Sequence, residues 1–581
     1  MRYKKCLSLV LIVLIVLTAT GCNKDNIVKD NFSNQEDKKE QIEYSPVEGG
    51  QIALPLTTFN TLNPLMTEND SYYFFSKLIF ESLFEFDSNL NIANKLADSY
   101  SIKDGGRVIN IKLKDNVLWH DGEKFTAEDV AFTVNTIKYA SNDTIYKKIF
   151  SSALGSYNNS DISRIMDVRI LDNYNIDIVF DRSFSNNLET LTFPIIPKHK
   201  FTQGKEDKNA YIKAIELKEY TPIGTGPYKF VSYEKLKTVN LEANENYREG
   251  KPYINKVVGK VLENEDLTLT AFETGQIDVT TSIGVDWEKY DQSNRVKILE
   301  FVSPNYEFLG FNFNKEIFKG EKGQGLRKAI AYGIDRQSII QKVYLGHGTQ
   351  TDVPIHPDSW LISEDSNIYG FNQGKAKEEL AKLGFKDTDK DGILEDENGK
   401  KLSITLTTNS YNSLRLKAAE MIASDLKKIG IEVIKDFDEN LPNNLTEEMV
   451  QKQWEQINEK INKGNFDVAL LGWRLSVIPE LSFAFHTSQI KYNTNIIKYS
   501  NETMDQLLVE AFNASTRDDK IKAYGNLQSF ITKDLPYVSL FFKNKALLVD
   551  KKIIGDMNPN FYNPYEGIEK WYIPKEFQQE N

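Results

Sequence analysis

The sequence predicts an α/β protein of several lobes, on three observations. Short runs with apolar residues at every second position alternate with longer runs at helical spacing, the order expected of helix-covered sheets. The chain has 581 residues, too many for one hydrophobic core and enough for two or three. Between Ser101 and Asn135, turn, strand and helix-cap chemistry follow one another without interruption.

Before any fold comes an address. Arg2, Lys4 and Lys5 precede an apolar run from Leu7 to Leu17, too short for a comfortable membrane span and typical of an export signal. Ala19-Thr20-Gly21-Cys22 resembles a lipobox, in which small residues admit the processing enzyme and the thiol takes a diacylglycerol; Ala19 departs from the commoner leucine. An uncleaved anchor is the competing reading. Residues 1–21 are thus expected to be a lipoprotein signal peptide. Cys22 would be the lipidated residue, holding the protein on the outer face of the cell membrane, or on the periplasmic side where an outer membrane exists. Cys6 leaves with the leader, so the mature chain keeps Cys22 alone and forms no internal disulfide. Residues 22–48 are rich in Asn, Asp, Lys and Glu and read as a flexible tether. Its length gives an r.m.s. reach of about 30 Å. The formal net charge of −12 becomes −15 without the three leader cations, and no basic face stands out, which argues against nucleic acid.

The globular sequence begins at Gly49-Gly50. Gln51 to Leu56 alternates as a strand, and Phe59-Asn60-Thr61-Leu62-Asn63-Pro64 is a turn-rich loop. A helix is expected from Tyr72 to Phe84, with Phe75, Leu78, Ile79 and Leu83 facing the core. Asp104-Gly105-Gly106 turns into a strand in which Ile109, Ile111 and Leu113 share one face. Val117 and Trp119 alternate again before a turn at His120-Asp121-Gly122. Thr126 then caps a helix, with Asp129 as the carboxylate of a capping box and Val130, Val134 and Ile137 on one side.

His120-Asp121-Gly122 and Thr126-Ala127-Glu128-Asp129-Val130 resemble the signature of extracellular solute-binding protein family 5, the peptide-, nickel- and oligosaccharide-binding lipoproteins of ABC importers. The resemblance covers nearly the whole mature chain. It implies a three-lobed, periplasmic-binding-protein-like fold (type II, cluster C) with a ligand cleft between two large lobes. Lobe I would be assembled from residues 49–93, 221–302 and 536–581, with lobe II at 94–220 and lobe III at 303–535. It also implies a monomer with no catalytic role and no cofactor, which serves an ABC permease and its ATPase subunits.

Later segments fit that pattern. Thr221 to Phe230 is Gly-rich, but Pro227 has no N–H for a phosphate; it matches a second family signature, as do Asn246 to Pro252 and Phe272 to Asp278. Leu309 to Asn314 reads as a strand, Leu326 to Ile334 as a helix, and Asp335 as the cap of the next helix. Ser413 is expected to cap a helix that Gly430 ends, with Ile431 to Ile434 as the strand after it. Asp519 to Ile531 reads as a helix and Pro536 to Phe542 as a strand. The tail from Asn563 to Pro574 is expected to return to lobe I. Asp387-Thr388-Asp389-Lys390-Asp391-Gly392 spaces its carboxylates like a calcium loop, whereas Asn398 stands where an EF-hand has its bidentate Glu. A plain Asp/Gly hairpin turn is the other reading.

The functional centre is expected between Phe466 and His486. Its apolar run reads as a buried strand broken at Gly472-Trp473. In oligopeptide-binding members, the chain after Gly-Trp pairs with the peptide backbone. The resemblance therefore implies an oligopeptide ligand, with Phe59, Asn60, Asn305, Tyr306, Gly472, Trp473, Arg474, Leu475, Ser476 and His486 as candidate contacts. A core residue beside a strand is the competing reading of Trp473. Members that clamp a peptide amine carry Asp three residues after the Trp; Ser476 stands there, and Ile478 replaces a further family Asp. Arg474 would be free to attract acidic side chains. Nickel, haem or a sugar is the alternative ligand. A secreted hydrolase is the alternative class, but the chain has no His-Glu-x-x-His, no Gly-x-Ser-x-Gly and no usable thiol. His120, His199, His347, His356 and His486 never share ligand spacing on one helix.

Overall fold

The computed structural model describes residues 44–141, 143–154, 166–202, 208–217, 220–438 and 446–578. The leader, Cys22 and the tether as far as residue 43 lie outside them. Glu48, at the tether's expected end, bonds to Lys251 Nζ at 2.9 Å.

Two long antiparallel strands, Val296–Phe311 and Tyr537–Asp550, form the axis of the largest sheet. The sheet runs in the order Val279–Ile283, Tyr537–Asp550, Val296–Phe311, Val468–Arg474, Ser403–Thr407, Glu432–Asp436, and Gly348–Gln350 also pairs with Tyr537–Asp550. Both faces are covered, which explains why its strands read as nearly unbroken apolar runs. Tyr306, Phe308 and Ala469 face one core, while Leu309, Phe311, Val468 and Leu470 face the other. Helices Gly320–Gly333, Arg336–Val343 and Ser413–Lys428 supply the second core; Glu502–Asn513 and Arg517–Asp534 supply the first. The long strands slip register between Val302 and Tyr306, so their two halves can differ in direction.

Gln51–Thr57 pairs in parallel with Lys256–Leu262, which continues antiparallel to Thr238–Ala243 and Tyr228–Glu234. A third sheet, Ala97–Lys103, Val108–Leu113, Asn175–Phe180 and Met166–Asp172, is antiparallel throughout. Helix Ala127–Ile137 packs on it, with Thr126 N–H donating to Asp129 Oδ2 at 2.9 Å as the capping box requires. Trp571 of the tail is fully buried in the same core as Ile52 and Leu54.

Several boundaries differ from expectation. The helix expected over Tyr72–Phe84 is Asp70–Ser76 alone. The carbonyls of Leu78 and Ile79 accept from Tyr228 and Gly226 N–H at 2.9 Å each, and a chain so paired cannot remain helical. The cap before Ser413 is Asn412, whose side chain accepts from Arg415 N–H. The strands expected to start at Leu309 and to end at Phe542 extend to Val296 and Asp550, because each finds its partner in the other. Gly472-Trp473 does not break its strand, since Glu307 and Tyr306 stand opposite and the ladder reaches Arg474.

The two glycine-bearing signatures bind each other. His120 N–H donates to Gly224 O at 2.9 Å, Gly224 N–H donates to His120 Nδ1 at 3.2 Å, and His120 Nε2 lies 3.0 Å from Gly226 O. Since Nδ1 accepts, Nε2 carries the proton. Burial pushes the His120 pKa down to about 4, so the ring is neutral at pH 7. Asp121 is held down to about 2 despite its burial by His199 and Lys200, at 2.8 and 2.7 Å.

Candidate functional site

The candidate residues of the Gly-Trp segment lie on the strand beside Val296–Phe311, where Gly472 faces Glu307, Trp473 faces Tyr306 and Arg474 faces Asn305. Gly472 is needed for space: a Cβ there would meet Arg415 Nη2 at 2.7 Å and both Glu307 Oε1 and Tyr306 O at 2.9 Å. Under it lies an ionic knot. Arg415 donates Nε to Glu307 Oε2 and Nη2 to Oε1, each at 2.8 Å, and Lys543 Nζ is 2.9 Å from Oε1. Burial alone would raise the Glu307 pKa, but Arg415 and Lys543 hold it below the ordinary value.

Trp473 is half-buried. Its ring stacks near Phe308 with centroids 6.0 Å apart, meets Phe483 edge-on at 5.4 Å, and points Nε1 at Tyr537 Oη, 3.4 Å away. Tyr306 is a core residue in this conformation: it is fully buried, hydrogen-bonded to Ser539 Oγ at 2.6 Å and flanked by Phe308 and Phe542. Leu475 N–H donates to Pro304 O at 2.9 Å, and Ser476 Oγ accepts from Ile478 N–H. On the other side of this strand, pairing with Ser403–Thr407 covers only Val468 and Ala469.

Arg474 is not free. Its Nη1 donates to Asp70 Oδ2 at 2.5 Å, tying the strand end to the first turn of helix Asp70–Ser76. That helix also connects the remaining early candidates: Phe59 stacks on its Tyr72 at 4.8 Å and lies tilted against Tyr233 at 5.5 Å, while Asn60 is exposed in the adjoining bend. His486 serves its own segment. Nδ1 accepts from Ser488 N–H at 3.1 Å, capping the turn Thr487–Tyr492, and lies 3.8 Å from Asp505.

Residues without a local sequence signal complete the place where these walls meet. Ile478 is buried against Phe86 and Tyr562, and the His356 ring lies 4.8 Å from that of Phe561. Lys77 Nζ sits 4.0 Å over the Tyr562 ring and 4.8 Å over that of Tyr73. Burial lowers the Lys77 pKa to about 8, against the pull of Glu85 and Glu566. Beside it is a cavity of about 70 Å³ lined by Lys77, Glu81, Glu85, Lys95, Tyr562 and Glu566. Further along, Trp360 N–H donates to Asn89 O at 3.0 Å, Arg517 Nη1 to Asn91 Oδ1 at 2.8 Å, and Lys520 Nζ to Glu189 Oε1 at 3.0 Å. Arg474, Ile478, Trp360, Arg517 and Lys520 thus touch Asp70, Phe86, Asn89, Asn91 and Glu189 in turn along a seam, and the space lined by Pro354, His356 and Leu475 to Leu481 on one side of it is only about 10 Å³.

Comparison with known proteins gives this geometry a context. Residues 91–493 match the model for bacterial extracellular solute-binding proteins, family 5. The oligopeptide-binding protein AppA of Bacillus subtilis is 31% identical over 585 residues, covering 98% of each chain. Heme-binding protein A of Haemophilus influenzae is 25% identical, covering 87% of this chain and 89% of that one. Among solved structures, Bacillus subtilis AppA in complex with a nonapeptide is 29% identical with a TM-score of 0.59, covering 91% of this chain and 100% of that one. NikZ from Campylobacter jejuni in complex with Ni(L-His) is 25% identical with a TM-score of 0.62 over the same shares. No helix of the described residues is long and apolar enough to cross a membrane.

Proposed function

The chain belongs to the bacterial extracellular solute-binding proteins of family 5, non-enzymatic and extracytoplasmic components of transport systems, and from that premise we propose that it captures oligopeptides for an ABC importer. The observation that carries this reading is the 31% identity to an oligopeptide-binding protein over 98% of both chains, joined to a strand end with an unpaired side at the seam. An extended peptide would add its main chain to the segment Gly472 to Ser476. Such hydrogen bonds ignore side-chain identity, and several at about 0.5–1.5 kcal/mol each approach the about 8 kcal/mol of micromolar binding.

In this reading lobe III (303–535) opens from the discontinuous lobe I (49–93, 221–302, 536–581), bending the long strands where their register slips. A guest that touches both walls stabilises the closed form by its differential affinity, and that form is presented to the permease and its ATPase subunits by a single copy of the chain. No strong amine clamp is expected: Ser476 is neutral, and the Asp70 carboxylate is already engaged by Arg474. The leader pattern supports lipidation of Cys22 and attachment to the outer face of the membrane. Cys22→Ala is then expected to release protein into the medium or leave it unprocessed; unchanged retention and size would contradict the anchor.

Mass spectrometry of material released from denatured purified protein tests the ligand class. Peptides of mixed sequence support the reading. A single sugar, haem or nickel chelate overturns it, and at least tenfold weaker binding of N-acetylated peptides, about 1.4 kcal/mol, refutes the absence of a clamp.

A further inference from the structure

We propose that the loop Asp387–Glu395, far in sequence from the Gly-Trp strand, is a calcium site that fastens a hairpin of the largest sheet's α/β layer. The carboxylates of Asp387, Asp389, Asp391 and Glu395 each bring an oxygen within 4.8 Å of the others. Three of these residues are exposed, and such acids often gather at a surface without a metal. Glu395 is different. It is only 3% exposed. Its Oε2 accepts from Thr388 N–H and Oγ1, both at 2.7 Å, whereas its Oε1 is buried without any hydrogen-bond partner. A buried carboxylate oxygen lacking a donor is costly, and a cation held by the three aspartates would satisfy it.

The donor set identifies the ion. Four carboxylates offer hard oxygen and no nitrogen or sulfur, which suits calcium over the softer metals. Asn398 at the twelfth position is not a bidentate acid, so the ninth-position Glu395 takes the closing role. The lack of a bidentate acid at the twelfth position and the exposure of the loop put the affinity at the weak, extracellular end, about 0.1–1 mM. One ammonium, Lys401 Nζ, now rests on Asp391 and lies 3.6 Å from Asp389; a divalent ion would displace it. Leu394 N–H donates to Gly430 O at 2.9 Å and Leu402 N–H to Leu394 O at 2.7 Å. Fixing the loop therefore fixes the corner between helix Ser413–Lys428 and strand Glu432–Asp436.

Isothermal titration of the full mature chain, stripped with chelator, tests this with calcium chloride and magnesium chloride as the probes. We expect one calcium site near the stated affinity, magnesium at least tenfold weaker, and a melting temperature raised by about 1–2 °C at about 10 mM calcium. The double variant Asp389→Asn, Asp391→Asn is expected to fold unchanged in chelator and to lose calcium at least tenfold. Glu395→Gln should weaken binding, and Lys401→Met should tighten it by removing the competitor. No calcium heat at about 10 mM, or an undiminished response in the double variant, overturns the site.

Discussion

Glu307, 2% exposed between Arg415 and Lys543, joins the strand that pairs with the Gly-Trp segment to the helix capped by Asn412. Removing one partner leaves a charge out of water with too little compensation, so Arg415→Met is expected to cost about 3–5 kcal/mol in urea unfolding. Because the folded carboxyl titrates below its unfolded value, its stabilisation is present above the ordinary carboxylate range and lost as pH falls through the lowered pKa. His120 and His356 act earlier. Burial holds both near 4, so the folded state binds fewer protons than the unfolded one between there and about 6.5, and stability falls as pH falls through that window. Each contributes at most about 3 kcal/mol. The urea midpoint is expected to drop between pH 7 and pH 5, and His120→Gln to flatten that drop. A midpoint independent of pH above 5 would exclude the assignment.

At the level of elements, the loop Thr221 to Phe230 shows how a signature can be structural. A Cβ on Gly224 would lie 1.7 Å from Ile79 O, and one on Gly226 2.7 Å from Leu78 O, so backbone must move to admit either. Gly224→Ala is expected to destabilise by more than about 2 kcal/mol. Gly525, inside helix Arg517–Asp534 with nothing within 4 Å of its Cβ position, gives the contrast. Gly525→Ala should stabilise by about 0.5–1 kcal/mol through helix propensity alone. Thermal melts of the two variants decide, and a shift of the same sign in both would refute the distinction.

For the whole molecule, the seam is the property to test. Ile478 packs on Phe86 and Tyr562 across it, an apolar contact made only while the walls touch. Ile478→Asp would bury a carboxylate there at a cost of a few kcal/mol, about enough to favour opening, without disturbing either core. Small-angle scattering is expected to give the ligand-free variant a larger radius of gyration than the parent chain, and saturating peptide to reduce the difference. Equal radii in all four conditions would contradict hinged closure. Arg474→Ala should shift the balance in the same direction but weakly, since an exposed ion pair contributes about 0–1 kcal/mol.

The sequence by itself determined what depends on neighbours along the chain. The capping box at Thr126 and Asp129, the alternation of Ile109, Ile111 and Leu113, the cap at Asp335, the α/β class and the family all rest on contacts within a few residues, and the structure has them. Tertiary structure decided what depends on distant partners. The helix that begins at Asp70 stops at Ser76 because Gly226 and Tyr228, about 150 residues later, claim the carbonyls of Ile79 and Leu78 just beyond it, and the strand through Gly472 continues because Glu307 stands opposite. Arg474 looked available until Asp70 lay beside it; Tyr306 looked like a pocket wall until Ser539 and Phe542 enclosed it. Period and capping are local energies that a short window contains, whereas the pairing of a buried charge or a strand edge is settled by whichever distant group the fold brings to it.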